Sequence, residues 1–248
     1  MSRNRTRRVK PIILSFSGID GSGKSTQIEI LCTRLRQVGL RVRLLSFWDD
    51  VARLKRWREF ASHAIFKSEK GVGSPDRPVN RRDKNVQFWY MTPMRWFLCF
   101  LDAMSLCNVV VETEMVGADV VIFDRYLYDQ LANFPLDRRP ITQAYVRMLL
   151  NLVPRPDIAY WLDANPDEAR NRKPEYPLDF LCHSSESYAR LSRMGGMTMI
   201  TPGPVDSVAD RITRSFLQRF PVARLSDFRL AGDIPRASDQ VLEERHWE

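Results

Sequence analysis

The sequence predicts an α/β fold in which one parallel β-sheet is covered by helices on both faces. Short apolar runs alternate along the chain with longer segments of helical periodicity, as in sheets whose parallel strands are joined by crossover helices. A glycine-rich stretch, residues 18–26, separates the first predicted strand from the first predicted helix. Asp124 and Asp163 each follow a later apolar run directly. Ligands of open α/β sheets bind at the carboxyl ends of strands, so these positions predict where a site forms.

Five short apolar runs, rich in β-branched or aromatic residues, are predicted as strands. They cover residues 12–16, 41–47, 120–123, 158–162 and 198–200. The segments between them place apolar residues three and four positions apart, which indicates helices. The predicted helices run from the glycine-rich stretch to Val38 and over about 51–61, 85–116, 128–133, 141–152, 166–173, 178–194 and 205–220. Gly39 and Gly117 follow two of these helices and are predicted to end them.

The longest predicted helix begins near residue 84 and is expected to bend near Pro93. Its aromatic residues favour a core or a subunit interface over a base-stacking surface. They are Phe88, Trp89, Trp96, Phe97 and Phe100. The most apolar part of this helix contains Arg95 and Asp102, so we interpret it as buried and predict no transmembrane span. Tyr188 and Leu191 of a later helix are predicted to point inward.

The 248 residues are interpreted as one domain, residues 11–220, with a basic tail at 1–10 and a C-terminal tail at 221–248. An insertion at about 50–85 contains a stretch, 67–84, rich in Gly, Pro, Arg and Lys, for which functional and merely solvated interpretations are equally open. The first residues lack the apolar core of a secretory leader, and we expect a cytoplasmic protein without a membrane partner.

The net charge is +8, which favours anionic partners, and nucleotides satisfy that charge as well as nucleic acid does. Beyond this positive charge the sequence shows no nucleic-acid-binding motif, so we do not expect nucleic acid as a partner. The four cysteines contain no C-x-x-C pair and are predicted to be reduced and buried, with no metal site. They are Cys32, Cys99, Cys107 and Cys182.

The glycine-rich stretch fits the pattern G-x-x-x-x-G-K-[S/T], which lies between a strand and a helix in phosphate-binding loops. Glycines let backbone N–H groups turn towards phosphate oxygens, and the helix N-terminus adds partial positive charge. Lys24 is placed to reach the β- and γ-phosphates, and the Ser25 hydroxyl is the expected Mg²⁺ ligand. The predicted phosphate-binding residues are Gly18, Ile19, Asp20, Gly21, Ser22, Gly23, Lys24, Ser25 and Thr26.

Carboxylates and cations surround this loop in the predicted topology. Asp124 ends a buried strand and is predicted to associate with Mg²⁺, the alternative being a helix cap. Arg125 is predicted to bind an acceptor phosphate, the alternative being that it forms a surface salt bridge. Arg170, Arg172 and Lys173 are predicted to form a mobile basic segment over the transferred group, although such clusters are often only a solvated helix face.

Four stretches together resemble the thymidylate kinase family. They are residues 18–27, Asp124-Arg125-Tyr126, residues 160–169 and residues 199–205. The resemblance implies a three-layer P-loop NTPase fold with a five-stranded parallel sheet. The activity it implies is transfer of the ATP γ-phosphate to a nucleoside monophosphate, with Mg²⁺ as cofactor. It also implies a homodimer through the long aromatic helix.

The family resemblance also suggests residue roles. Asp20 would approach the acceptor, the lid would span about 166–180 with Lys173 near ATP, and Pro202 would lie near adenine. The implied catalytic residues are Lys24, Asp20, Asp124, Arg125, Arg170 and Arg172. Ile19, Gly21 and Ser22 stand where one family branch has a loop arginine, so the catalytic cations are expected from the lid.

The acceptor half of the site departs from the family pattern. Asp102 precedes Ala103 where the family usually has Asp-Arg, and residues 129–134 replace the family's Ser…Ala-Tyr-Gln. Thymidylate is the default acceptor. One alternative is a kinase of another nucleotide or small molecule. Another, of a different class, is a nucleotide-binding regulator whose basic loop and N-terminal arm contact nucleic acid.

Overall fold

The computed structural model describes residues 10–51, 91–134, 136 and 140–221. Five expectations lie outside the described residues: the helix at about 51–61, the stretch 67–84, the aromatic positions 88 and 89, the tail at 1–9 and the tail from 222 onward. Within the described part, the elements alternate between strand and helix as predicted.

The five strands of the described part form one sheet. They are β1 (Ile12–Ser17), β2 (Val42–Ser46), β3 (Val120–Asp124), β4 (Ile158–Leu162) and β5 (Thr198–Ile200). A short π-helical turn, Phe47–Val51, follows β2. The helices, numbered here over the described residues, are α1 (Lys24–Gln37), α2 (Met91–Val116), α3 (Leu127–Leu131), α4 (Pro140–Leu152), α5 (Pro166–Arg172), α6 (Leu178–Gly195) and α7 (Val205–Arg219).

The sheet has the strand order β2-β3-β1-β4-β5, and every pairing is parallel. β1 lies in the middle, with Phe16 in register with Asp124 of β3 and with Tyr160 of β4. The carboxyl ends of the three central strands therefore meet at one edge. The glycine-rich loop leaves β1 at this edge, which is where open α/β sheets bind ligands.

The sheet separates two apolar cores. Alternate residues of a strand point to opposite faces, so Ile13 joins one core while Ile12 and Leu14 join the other. The core that contains Ile13 also contains buried residues of α2, α4 and α6, and the second core contains α1 and α7. This arrangement is the predicted sheet with helices on both faces.

The predicted helix ends at Gly39 and Gly117 are confirmed, because both glycines have left-handed φ values, 83° and 81°. Tyr188 and Leu191 point inward as predicted, with 4% and 0% of their surface exposed. The expectation that all four cysteines are buried is wrong for Cys182, which is exposed, and Cys107 is only half-buried. Cys182 occupies the solvent face of α6, and the local composition did not reveal that face.

Helix α2 is partly a core element and partly exposed. Trp96 packs against the core and stacks on Tyr145 with ring centroids 4.5 Å apart, whereas Phe97 is 60% exposed. The stretch Met94–Met115 is long and apolar enough to cross a membrane by length and composition. Core helices can have the same length and apolar composition. The buried face of this helix carries the charged residue Asp102, which is fully enclosed by the fold.

Candidate active site

Lys24 of the glycine-rich loop lies under the loop and points back along it. Its Nζ donates hydrogen bonds to the carbonyl oxygens of Gly18 (2.9 Å) and Ile19 (2.8 Å), and the Ser22 hydroxyl lies 3.4 Å away. Only 6% of Lys24 is exposed. These contacts place a cation at the centre of the loop, where the sequence predicts phosphate binding.

Two glycines of the loop lie so close to neighbouring backbone that no side chain fits. A Cβ on Gly18 would lie 2.6 Å from the Leu162 carbonyl oxygen, and a Cβ on Gly21 would lie 2.2 Å from that of Ala169. Ala169 belongs to α5, so this helix packs directly over the loop. The contact with Ala169 explains why residue 21 is glycine, although the phosphate-loop motif allows any residue at this position.

Arg125 follows β3 and has an unusual backbone conformation for a residue with a side chain. Its φ is 69°, in the left-handed region, which costs a non-glycine residue about 1–2 kcal/mol. Its Nη2 forms an ion pair with the Asp20 carboxylate of the loop. The left-handed turn thus joins the end of β3 to the loop after β1, as strained residues at functional sites often do.

A buried carboxylate, Asp129 of α3, lies on the other side of Arg125. Its Oδ1 is 3.8 Å from Arg125 Nη1 and accepts a hydrogen bond from the Tyr188 hydroxyl at 2.7 Å. Its Oδ2 accepts hydrogen bonds from the Ser17 hydroxyl (2.7 Å) and the Tyr126 amide (3.1 Å). Asp129 was not among the site residues predicted from the sequence. Its partners Ser17 and Tyr188 are distant in the chain, so no local spacing signals the contact.

A cleft of about 760 Å³ opens between the loop, the ends of β3 and β4, and α5. Residues from all the predicted groups line it. These include Asp20, Gly21, Ser22, Gly23, Lys24, Ser25, Thr26, Asp124, Arg125, Asp163, Arg172, Lys173 and Pro202. Of the predicted phosphate-binding residues, Gly18 and Ile19 do not line the cleft. Their carbonyl groups hold Lys24, and the Ile19 side chain is buried in the core.

The predicted lid residues separate into two groups. Arg172 and Lys173 line the cleft and are paired with carboxylates, Arg172 with Glu168 at 3.5 Å and Lys173 with Glu175 at 3.1 Å. Arg170 is half-buried and does not line the cleft, and its Nε is buried without a hydrogen-bond partner among the described residues. Arg170 and Arg172 are two positions apart in the short helix α5, so their side chains leave the helix in different directions, and Lys173 follows the end of the helix.

The clustered charges perturb one another. Burial and, next, the Arg125 cation lower the pKa of Lys24, the carboxylate of Asp20 partly counteracts them, and the result is a pKa of about 8. Burial raises the pKa of Asp124 above its ordinary value. Burial alone would lower the pKa of Arg125, but the carboxylates of Asp20 and Asp129 raise it overall, so Arg125 is a permanent cation. Perturbed groups in a cleft are typical of functional sites.

The oxygen atoms in the cleft suit a hard divalent cation whose remaining ligands would be phosphate oxygens and water. Ser25 and Asp124 both line the cleft and supply a hydroxyl and a carboxylate. Among the described residues, no group of three His, Cys, Asp or Glu side chains is arranged to hold a metal by itself. Such a sparse donor set fits Mg²⁺ carried in with a nucleotide, for which proteins usually supply one or two ligands.

Known proteins with similar sequences are thymidylate kinases. The chain is 27% identical over 188 residues to a thymidylate kinase of Chlorobium luteolum, covering 74% of this chain and 77% of that protein. It is 24% identical to a thymidylate kinase of Pelodictyon phaeoclathratiforme, with 74% and 76% covered. None of the protein-family models matches the chain.

The fold is also that of a solved structure. A thymidylate kinase from Ehrlichia chaffeensis superposes with a TM-score of 0.54 at 16% identity, over 84% of this chain and 99% of that one. At this level of identity the likeness shows the three-layer α/β P-loop fold, with its five-stranded parallel sheet, and nothing finer.

Proposed function

On the premise, supported by these similarities, that the chain is a divergent member of the thymidylate kinase family, we propose that it transfers the γ-phosphoryl group of ATP to thymidylate. The observation that carries the proposal is one cleft that joins Lys24 of the phosphate loop to Arg125 beyond β3. Lys24 would bind the donor nucleotide, and Arg125 would bind an acceptor phosphate. The products would be ADP and dTDP.

The donor side of the reaction rests on the loop. Lys24 would exchange the carbonyl groups of Gly18 and Ile19 for the β- and γ-phosphate oxygens of ATP. Pro202 also lines the cleft, and the adenine base would lie near it. Ser25 and Asp124 would hold Mg²⁺, which supplies positive charge to the phosphate oxygens during transfer.

The acceptor side rests on Arg125 and Asp20. Arg125 is held by Asp20 across the cleft, and a phosphate dianion would replace that carboxylate at Nη2. An oxygen of the acceptor phosphate would then attack the γ-phosphorus. The bond from that phosphorus to the β–γ bridging oxygen would break, and ADP would leave with the electron pair.

The lid side supplies charge to the migrating group. Arg172 and Lys173 line the cleft, their side chains are more than 45% exposed, and each is paired with a nearby carboxylate. They would turn to the γ-phosphate oxygens as charge develops there. Close packing of α5 on Gly21 would keep bulk water from competing with the acceptor.

The proposal extends to assembly and location. Exposed apolar side chains form a row along α2, and we infer that a second copy of the chain covers it in a cytoplasmic homodimer. They are Met94, Phe97, Phe100, Met104, Val111 and Met115. Sedimentation of the full chain tests this inference. A dimer that Phe97→Glu converts to monomer supports it, and a monomeric wild-type protein contradicts it.

The acceptor is tested by incubating the protein with Mg·ATP and a panel of nucleoside monophosphates while ADP is measured. Stimulation by thymidylate above all others supports the proposal. Stimulation by a different acceptor would assign another kinase activity. Other acceptors belong in the panel because the sequence departs from the thymidylate kinase pattern at Asp102 and Asp129. The Asp102 carboxylate accepts a hydrogen bond from Gln130 at 2.8 Å, so it is already engaged within the fold. Failure of every acceptor would overturn the kinase assignment.

A further inference from the structure

We propose that Asp129 is a positioning residue that holds the Arg125 guanidinium in place when the acceptor phosphate displaces Asp20; the inference rests on the phosphoryl-transfer function proposed above. Arg125 lies between two carboxylates, with Nη2 paired to Asp20 and Nη1 3.8 Å from Asp129 Oδ1. Asp20 lines the cleft whereas Asp129 does not, and this difference carries the inference.

Asp129 is fixed by the fold. It is 4% exposed, and it receives hydrogen bonds from the Ser17 hydroxyl, the Tyr126 amide and the Tyr188 hydroxyl. These donors belong to β1, to the turn before α3 and to α6. Three elements therefore determine where this carboxylate lies, and a network satisfied in this way is rigid.

Asp20 lies in a different position relative to the cleft. It belongs to the phosphate loop, lines the cleft and faces the space that a nucleotide would occupy. Asp129 does not line the cleft and so cannot touch a substrate there. One carboxylate of the pair is thus exchangeable for a phosphate, while the other remains behind Arg125 in both states.

The backbone at Arg125 shows why a second anchor is needed. Its φ of 69° is strained for a residue with a Cβ, and such a conformation persists only when surrounding contacts determine it. After Asp20 gives way to phosphate, the Asp129 carboxylate would remain beside the guanidinium. It would keep Nη2 aimed at the acceptor.

Asp129→Asn separates this role from a purely structural one. An asparagine can keep the hydrogen bonds, since its oxygen accepts from Ser17 and the Tyr126 amide while its NH₂ group donates to the Tyr188 oxygen. The negative charge facing Arg125 is lost. Tyr188→Phe is the matched control, because it removes one donor to Asp129 and leaves the charge.

The test is equilibrium binding of dTMP and of thymidine to the full chain by calorimetry. We expect Asp129→Asn to weaken dTMP binding about tenfold, leave thymidine binding within about twofold, and leave ATP binding within about twofold. Tyr188→Phe should weaken dTMP binding by less than about threefold. Equal losses for dTMP, thymidine and ATP, or no loss for dTMP, would overturn the inference.

A second measurement makes the result independent of turnover and of how well one variant folds. In an Arg125→Ala background, Asp129→Asn should cause no further loss of dTMP binding, because its partner is gone. A further loss would mean that Asp129 acts by another route. The Arg125 guanidinium can also be followed by NMR in an Asp20→Ala background, which imitates the displacement of Asp20, and its side-chain N–H signals should broaden when Asp129→Asn is added. Sharp signals in that double variant contradict the inference even if no acceptor is ever phosphorylated.

Discussion

The backbone of Ala169 in α5 lies against Gly21 of the phosphate loop so closely that a Cβ at Gly21 would come within 2.2 Å of the Ala169 carbonyl oxygen. Gly21 also has a left-handed φ of 83°. The loop and the helix above it are therefore complementary at the level of backbone. This contact joins the donor part of the cleft to the segment that carries Arg172 and Lys173.

Gly21→Ala should destabilise the protein more than Gly23→Ala. Both glycines have left-handed φ values, so alanine costs about 1–2 kcal/mol at either position. A Cβ on Gly23 meets no atom within 4 Å, whereas one on Gly21 forces α5 away, which adds about 1–3 kcal/mol. Urea unfolding of the two variants measures the difference. Equal free energies of unfolding would mean that α5 does not pack on the loop in solution.

Arg172→Ala should lower kcat on the order of a hundredfold, with a smaller effect on ATP affinity, because its charge is needed only as the γ-phosphoryl group migrates. Arg170→Ala should cost less activity, since Arg170 does not line the cleft. Arg147→Ala, an exposed arginine of α4, serves as the control for net charge. Steady-state kinetics check this ranking. A larger kcat loss for Arg170→Ala would reverse the assignment within the lid.

ATP affinity should fall as the pH rises above 8. Burial, and next the Arg125 cation, lower the pKa of Lys24 to about 8, so in the free protein this amine loses its proton through that pH. Phosphate favours the ammonium form, so nucleotide binding above pH 8 should take up a proton. Calorimetry in two buffers of different ionisation enthalpy measures the uptake. Lys24→Arg should show none, because arginine stays charged, and absence of uptake in the wild type would contradict the prediction.

Asp124→Asn should raise the Mg²⁺ concentration needed for half-maximal rate about tenfold, since a carboxylate proposed to hold the metal becomes a neutral amide. Asp163→Asn is the matched control, because Asp163 also lines the cleft but follows β4. Rates measured over a Mg²⁺ titration separate the two. A larger shift for Asp163→Asn would move the metal to the other strand.

Much of the fold could be predicted because its signals are local. The bounds of β4 and β5 match the prediction, since Asp163 follows one strand and a glycine pair precedes the other. The phosphate loop and the residues after β3 were found because strand ends and motif spacing are visible in the chain. β2 is one residue shorter at each end than predicted.

The missed features depend on contacts between distant segments. Asp129 joins the site through Ser17 and Tyr188, which lie 112 and 59 positions away in sequence. The separation of Arg170 from Arg172 depends on which side of α5 faces the cleft, and a cluster of basic residues does not encode that. The exposure of Cys182 likewise depends on how α6 packs.

The proposed phosphoryl transfer can be followed directly with isotopically labelled ATP. ATP carrying ¹⁸O in its γ-phosphate is incubated with the protein, Mg²⁺ and dTMP, and the products are separated and analysed by mass spectrometry. We expect the label to appear in the terminal phosphate of dTDP, in equal amount to the ADP formed, and we expect Lys24→Ala to abolish both products. Label found in inorganic phosphate instead, or transfer that survives Lys24→Ala, would contradict the proposed function.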